Sequence, residues 1–260
     1  MLITLTTDFG LRDGYVAAMK GAILSRAPAV LLVDVTHEIP PGAIHAAAYV
    51  LRQATGYFPD GTIHLAVVDP GVGSGRRGIV CKCGSQLYVA PDNGVLAAVL
   101  DAQPPVRTHS ITRSELWRPD PSPVFHGRDI FGPVAAHLAS GGRLEDVGDA
   151  IDPASLVGCP WPKPSMQGEE WKGAVIYVDR FGNLVTNLPL EPDCSLEGSA
   201  EIDGRRCPLA RTYSEVSEGE LVALRGSSGL LEIACHAGSA ARILGAEPGH
   251  VVTFRVQTRS

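Results

Sequence analysis

The sequence predicts two domains of different class: an N-terminal α/β domain with a mainly parallel sheet, and a small C-terminal antiparallel β-barrel. Helix and strand patterns alternate through the first half, whereas the second half holds short apolar runs separated by Gly, Pro and Asp. A stretch with four prolines and little periodicity, around 150–170, lies between the two patterns. The predicted boundaries are 1–155 for the α/β domain, 156–170 for a linker and 171–260 for the barrel.

The first half has the β-α-β order that is typical of a parallel sheet with helices on both faces. The first predicted helix places Val16, Met19, Ile23 and Leu24 on one face, as an amphipathic helix does. The apolar run 30–35 predicts a buried strand. The predicted strands are 2–8, 30–35, 62–69, 78–83 and 86–90, and the predicted helices are 15–27, 43–58 and 94–101.

Short apolar runs in the second half predict the strands of a small barrel or sandwich. Turn-forming residues separate these runs, so the chain can reverse direction between them. The runs are 171–179, 183–188, 220–226, 230–235 and 251–257.

Composition and charge limit the possible partners. The net charge is −6, which argues against broad nucleic-acid binding because that binding requires basic surfaces. The N-terminal MLITLTTDFG predicts a strand rather than a signal peptide, and no apolar run approaches the roughly 18 residues of a membrane span. Six cysteines without zinc-binding spacing predict unpaired thiols and therefore a cytoplasmic protein. They are Cys81, Cys83, Cys159, Cys194, Cys207 and Cys235.

Polar residues follow several of the predicted strands in the first half. Ligands of open α/β sheets bind beyond the carboxyl ends of the strands, so these residues are candidates for a site. Each has a structural alternative, because an Asp in this position can cap a helix or start a turn, and a single His is often structural. Their occurrence at successive strand ends favours a shared site. The residues are Asp8, Asp13, Asp34, His37, Asp69, Arg76 and, in a later loop, His126.

The glycine-rich loop after Asp69 has neither the P-loop pattern nor the dinucleotide-binding GxGxxG pattern between a strand and a helix. Its glycines allow a sharp turn that could return Arg76 to Asp69. In the second half, Asp179, Phe181 and Asn183 could bind a planar base or could form a hairpin turn. Ser227 lies in a segment that could present backbone groups to a ligand or could simply connect two strands.

Seven motifs occur in order between Leu2 and about Ala241: TTDFG, DVTHEIPP, VDPGVGS-RR, APDNG, FHGRD, DRFGNLVTN and SSGLLEIA. Together they resemble the S-adenosylmethionine hydroxide adenosyltransferases, which are relatives of the fluorinases and chlorinases. The resemblance implies an α/β domain and a barrel, and trimers that hold substrate between one subunit's N-domain and its neighbour's C-domain. It also implies substitution at ribose C5′ of S-adenosylmethionine, with methionine leaving and with no metal or other cofactor.

The resemblance assigns roles to residues that match these motifs. It implies that Asp69, Arg76 and His126 handle the nucleophilic water, with Arg77 as an alternative to Arg76 that the spacing to Asp69 disfavours. Two segments depart from the expected pattern: Gly226-Ser227-Ser228 replaces a segment with Asn-Ser, and Cys235-His236 replaces Val-Asn. The implied substrate contacts are Asp8 to the ribose hydroxyls, Asp13 to the methionine end, Asp179, Phe181 and Asn183 to the methionine and adenine regions, and Ser227 to adenine.

Three other functions remain to be compared with hydrolysis. A halogenase would use chloride or fluoride at the same carbon, but the complete Asp-Arg-His set, the Gly127 that follows His126 and the lack of a long insertion favour water. A metal-dependent hydrolase would use Asp8, His37, Asp69 and His126 as ligands, without an HxH or HxxxH pair in support. A module that binds adenosine or S-adenosylmethionine without turnover is the third.

Overall fold

Six strands of the first half form one mixed sheet in the computed structural model, which describes residues 1–168, 170–191 and 198–256. The order across the sheet is β2-β1-β3-β5-β4-β6; β2, β1, β3 and β5 are parallel neighbours, and β4 is antiparallel to both β5 and β6. The strands are β1 (Leu2–Thr7), β2 (Leu31–Thr36), β3 (Ile63–Val67), β4 (Gly78–Cys83), β5 (Gln86–Pro91) and β6 (Arg107–Ser110).

Helices cover both faces of this sheet, as the sequence predicts. On one face, α1 and α4 share a core with alternate side chains of β1 and β3, such as Leu5 and Leu65. On the other face, α2 packs against α3 and β1. The helices are α1 (Tyr15–Leu24), α2 (Ile44–Ala54), α3 (Ala97–Ala102) and α4 (Gly132–Ala139).

Three details of the first half differ from the prediction. Strand β2 is at the edge of the sheet, so it is not buried: Leu31 is 60% exposed. Leu24 also lies outside the core, and α1 buries Ala22 beside Ile23 in its place. The short polar strand β6 (Arg107–Ser110) carries no apolar run, which is why the sequence pattern did not indicate it.

The second half forms an antiparallel, barrel-like sheet, and the predicted fold class is therefore confirmed. Its order is β11-β10-β14-β8-β9-β13-β12, with β7 beside β8. A bridge between Leu209, just after β11, and Ala223 of β12 joins the two ends of this order and nearly closes the barrel. The strands are β7 (Ser165–Gln167), β8 (Glu170–Val178), β9 (Leu184–Pro189), β10 (Gly198–Ile202), β11 (Arg205–Pro208), β12 (Leu221–Arg225), β13 (Leu230–Cys235) and β14 (Val251–Val256), and α5 (Ala240–Leu244) precedes β14.

The chain divides into two compact units, Met1–Pro160 and Trp161–Ser260. Strand β7 lies within the stretch 156–170 that the sequence predicts as a linker. The thiols of Cys81, Cys83, Cys207 and Cys235 form no disulfide, and Cys194 lies outside the described residues. No helix in the described ranges combines the length and apolarity needed to cross a membrane.

Candidate active site

The glycine-rich loop between β3 and β4 begins and ends on the same side of the sheet, where the parallel strands have their carboxyl ends. Strand β4 runs opposite to β3, so the chain that leaves β3 at this edge re-enters the sheet there. The loop turns through backbone hydrogen bonds from Val72 N to Asp69 O (3.1 Å) and from Ser74 N to Gly71 O (3.1 Å). Gly73 has φ +78°, and a Cβ there would lie 2.7 Å from Pro123 O, so a side chain is excluded at this position. The turn returns Arg76 to Asp69.

Arg76 bonds to both of the other residues that the resemblance implies for water handling. Its Nε donates to Asp69 Oδ1 at 2.9 Å, and Nη2 donates to Asp69 Oδ2. The same Nη2 lies 2.9 Å from His126 Nδ1. The side chains of Asp69 and Arg76 are only 5% and 12% exposed, so this bidentate ion pair is largely removed from water. The structure therefore brings Asp69, Arg76 and His126 together in one continuous hydrogen-bond chain.

The direction of the hydrogen bond between Arg76 and His126 fixes the tautomer of His126. A guanidinium carries N–H donors and has no acceptor, so Nδ1 of His126 accepts the hydrogen bond from Arg76. The proton of the neutral ring is therefore on Nε2. Within the part of the chain that the structure describes, Nε2 makes no hydrogen bond, so the site presents an N–H donor to an incoming oxygen or anion.

The surroundings of His126 favour the neutral form of its imidazole. Burial lowers the pKa of its imidazole below the ordinary value, and the positive charge of Arg76 lowers this pKa further. The carboxylates of Asp69 and Asp129 oppose the shift without reversing it. A neutral imidazole is consistent with the hydrogen bond from Arg76, since an imidazolium would have a second N–H where Arg76 now donates.

The loop that carries His126 is held by a buried carboxylate. Asp129 is almost fully buried and accepts hydrogen bonds from Ser122 N at 2.9 Å and from Arg128 Nε at 2.7 Å. Gly127 follows His126 and packs against Phe9, whose Cζ would lie 3.1 Å from a Cβ at that position. These contacts leave little freedom for the backbone around His126.

Arg77 has different partners from Arg76. Its Nε donates to Asp92 Oδ2 at 3.0 Å, and its Nη2 donates to Ser155 O at 2.7 Å. The other oxygen of Asp92 accepts from Val157 N at 2.9 Å. Arg77 thus attaches the segment 155–157 to the end of β5, and Arg76 is the arginine that contacts Asp69 and His126.

The remaining candidates of the first unit lie on the same edge but have separate contacts. Asp8 is half-buried, and its Oδ2 accepts from Gly42 N at 2.8 Å. Asp13 is exposed on the loop before α1. His37 bonds through Nδ1 to Thr7 Oγ1 at 2.8 Å, and its Nε2 is 3.1 Å from Asp34 Oδ1. In the ranges 1–168, 170–191 and 198–256, no three His, Cys, Asp or Glu side chains form a metal-binding group.

In the second unit, Asp179 organises the turn between β8 and β9. Its Oδ1 accepts from Phe181 N and Asn183 N at 2.8 and 2.9 Å, and its Oδ2 accepts from Asn183 Nδ2 at 2.9 Å. This turn leaves Phe181 76% exposed. The hairpin turn that the sequence also allows is therefore present at Asp179, and all three residues remain candidates for contact with a ligand. Ser227 lies in the turn between β12 and β13.

A cavity of about 550 Å³ adjoins this turn. Tyr213, which the sequence did not single out, donates to Glu232 Oε1 at 2.9 Å. Burial and the nearby Glu232 raise the pKa of Tyr213 to about 12, so its hydroxyl stays protonated. No motif surrounds Tyr213, and only its position in space indicates a role. The lining residues are Phe181, Asn183, Tyr213, Cys235, His236, Ala237 and Gly238, so the Cys235-His236 departure lies in the cavity wall.

The fold defines a two-domain protein with an α/β unit and a barrel-like unit. The α/β unit carries the hydrogen-bonded side chains of Asp69, Arg76 and His126. The chain belongs to the SAM hydroxide adenosyltransferase family: residues 3–148 match its N-terminal domain and residues 173–253 match its C-terminal domain. It is 41% identical to the (R)-S-adenosyl-L-methionine hydrolase of Salinispora tropica, over 95% of each chain. It is 42% identical to the enzyme of the same name from Thermus thermophilus, over 94% of this chain and 95% of the relative.

More distant and structural comparisons agree with this assignment. A fluorinase of Actinoplanes is 27% identical over 97% of this chain and 96% of its own. The crystal structure of an uncharacterised conserved protein from Thermotoga maritima superposes with a TM-score of 0.89 at 37% identity, and covers 98% of this chain and 100% of its own.

The pKa of His126 tests the hydrogen-bond chain directly. We expect Arg76→Met to raise this pKa, because the substitution removes a positive charge and leaves the carboxylate of Asp69 uncompensated beside the ring. The measurement is an NMR titration of the imidazole C–H signals. Arg77→Met is the matched control and should leave the His126 pKa unchanged. A pKa that stays the same or falls in Arg76→Met would show that Arg76 and His126 are not coupled in solution.

Proposed function

We propose that this chain hydrolyses S-adenosyl-L-methionine to adenosine and L-methionine. A water-derived oxygen attacks ribose C5′ in line with the sulfonium, forming the C5′–O bond as the C5′–S bond breaks. The bonding electron pair goes to sulfur, which leaves as the neutral thioether of methionine, and the water gives up one proton. The family assignment and the names of the relatives at 34–42% identity support this reaction.

The observation that carries the proposal is the donor character of the Asp69–Arg76–His126 chain. The nucleophile of this reaction is an oxygen that becomes more negative as water loses its proton. The guanidinium of Arg76 and the Nε2–H of His126 are hydrogen-bond donors that stabilise such charge, and they do so more strongly where water is excluded. Asp69 compensates the charge of Arg76 and fixes its orientation. His126 therefore stabilises hydroxide as a donor rather than removing the proton through Nε2.

The sulfonium is already a good leaving group, so positioning is the main remaining requirement. A near-attack arrangement of oxygen and C5′ can lower the barrier by roughly 7–11 kcal/mol at best. We assign the positioning to six residues and assign no metal or other cofactor to the reaction. Asp8 and Asp13 hold the ribose and the methionine end, Asp179, Phe181 and Asn183 bind the methionine and adenine regions, and Ser227 binds adenine.

We also propose a cytoplasmic homotrimer in which each active site takes its first unit from one subunit and its second unit from a neighbour. Two observations support separate roles for the two units. The hydrogen-bond chain of Asp69, Arg76 and His126 belongs to the unit 1–160, and the cavity beside Phe181 belongs to the unit 161–260. The thiols of Cys81, Cys83, Cys207 and Cys235, which form no disulfide, support a reducing compartment.

A second candidate function is halide transfer to the same carbon. Donors without a general base suit an anion such as chloride as well as they suit hydroxide, and fluorinases are among the relatives. A third is binding without turnover.

One incubation separates these three functions. S-adenosylmethionine is supplied in ¹⁸O-labelled water with excess chloride, and the products are separated by chromatography and mass spectrometry. We expect adenosine that carries one ¹⁸O at its 5′-hydroxyl, together with unlabelled methionine. A 5′-chlorinated nucleoside would establish halide transfer, and intact substrate with a measurable binding isotherm would establish a binding module.

Substitution of the water-handling residues should separate binding from turnover. We expect Arg76→Ala and His126→Ala to lower kcat by about 10²–10³-fold with little change in the Kd for substrate, because these residues act on the nucleophile. Stopped assays and calorimetry measure the two quantities. His137→Ala, which alters a histidine on α4 that is 28% exposed, is the matched control and should leave both unchanged. A parallel loss of binding and turnover would count against these roles.

The shared site makes a prediction for mixed trimers. Arg76→Ala disables the first unit and Phe181→Ala disables the second, so each homotrimer is inactive. When the two chains are co-expressed, each hybrid trimer contains one intact site, and random mixing should recover about a quarter of the wild-type activity. Tandem affinity tags isolate the hybrids, and light scattering measures their mass. Hybrids without activity would place the whole site in one subunit.

A further inference from the structure

We propose that Phe131 is a positioning residue that holds the guanidinium of Arg76 against both Asp69 and His126. The inference rests on the proposed function, since it concerns how the water-handling residues are kept in place. Phe131 itself contacts neither the substrate nor the nucleophile in this proposal, and it acts only through Arg76.

The contact between Phe131 and Arg76 is a cation–π interaction. The Cζ atom of Arg76 lies over the phenyl ring, 5.1 Å from its centroid. Phe131 is completely buried, and the Arg76 side chain is 12% exposed. Such contacts are strongest where water is excluded, because water otherwise competes for the cation. The ring therefore supports the guanidinium from a direction that neither Asp69 nor His126 occupies.

The phenyl ring is also packed against strand β4. A Cβ at Gly78 would lie 2.8 Å from Phe131 Cε1, so the ring occupies the space that a side chain at position 78 would fill. The same Cβ would lie 3.4 Å from Ile111, which belongs to the same core as Phe131. The ring thus has little room to move toward Gly78.

An unusual helical turn places Phe131 beside His126. Residues Gly127–Phe131 form a π-helical turn, with His126 as its N-terminal flanking residue. In such a turn each residue bonds to the one five positions away, so positions 126 and 131 lie on the same side of the helix. The rings of His126 and Phe131 are accordingly 6.5 Å apart at an interplanar angle of 69°. A regular α-helix would turn position 131 away from His126.

Positioning is needed because one nitrogen of Arg76 has two acceptors. Nη2 donates both to Asp69 Oδ2 and to His126 Nδ1. Asp69 alone would allow the guanidinium to tilt about the shared bonds, and a small tilt would keep the ion pair but lose the contact with His126. The ring removes this freedom, which is why we expect it to affect turnover more than substrate binding.

A double-mutant cycle tests the inference with Phe131→Leu, Arg76→Lys and the double variant. Phe131→Leu keeps an apolar side chain and should lower kcat about 30-fold, which is the fold-change that corresponds to one desolvated cation–π contact, with an unchanged KM. In the Arg76→Lys background the same substitution should change kcat less than twofold, because the planar guanidinium that the ring supports is absent. Equal effects in the two backgrounds would overturn the inference.

A core control separates positioning from stability. Val134→Ala alters another fully buried residue of the same core on α4, and it should lower the melting temperature without changing kcat. A loss of kcat in Val134→Ala that matches the loss in Phe131→Leu would mean that general loosening of the core explains both. Gly78→Ala keeps the ring but displaces it, because the new Cβ would lie 2.8 Å from Phe131 Cε1, and it should also lower kcat at constant KM.

A measurement that does not depend on enzyme activity tests this inference separately from the proposed function. NMR titration should show a higher His126 pKa in Phe131→Leu than in the wild type, because Arg76 no longer stays beside the imidazole. The substitution should shift nothing when it is added to Arg76→Met. A wild-type protein that leaves S-adenosylmethionine intact would refute the proposed function while this titration still decides the role of Phe131, and an unshifted pKa in Phe131→Leu would refute that role.

Discussion

One guanidinium that serves two acceptors is the constraint on which the candidate site depends. Arg76 must donate hydrogen bonds to the carboxylate of Asp69 and to the ring nitrogen of His126 at the same time. Little water reaches these side chains to replace a hydrogen bond that is lost. Burying an arginine and an aspartate costs solvation free energy, and only good geometry offsets that cost. The surrounding structure supplies the geometry: a tight loop returns Arg76 to Asp69, and a buried Asp129 fixes the loop of His126.

The topology of the sheet makes this arrangement possible. Strands β1, β2 and β3 are parallel, so the residues that follow them reach one edge. Strand β4 then runs in the opposite direction, which brings its first residues back to that edge. A parallel β4 would have begun at the far edge, and Arg76 would then have been a sheet's length away from Asp69. The site therefore requires the reversed direction of strand β4 as much as it requires the glycines of the loop.

The sequence predicts the parts of this structure that depend on local pattern. Apolar periodicity indicates many of the buried elements of both units, although not the buried helix α4, and polar residues after successive strands indicate the functional side of the sheet. Pattern cannot show which strand lies at the edge of a sheet, so the apolar strand β2 was wrongly expected to be buried. The spacing to Asp69 favours Arg76 over Arg77, but the separate partners of the two adjacent arginines become visible only in the folded structure. Tyr213 was missed for the same reason, since its partner Glu232 is distant in sequence.

The direction of the hydrogen bonds also determines how the proton of water must be treated. Nδ1 of His126 accepts from Arg76, and Nε2 already carries the ring proton. The imidazole can therefore take another proton only at Nδ1, where Arg76 would first have to move away. Protonation would place two cations side by side, which burial and the charge of Arg76 both oppose. A proton lost by the water must consequently go to solvent or to another group, and the three residues act on the oxygen that remains. The same arrangement would hold any small anion, so Asp69, Arg76 and His126 alone do not determine the identity of the nucleophile.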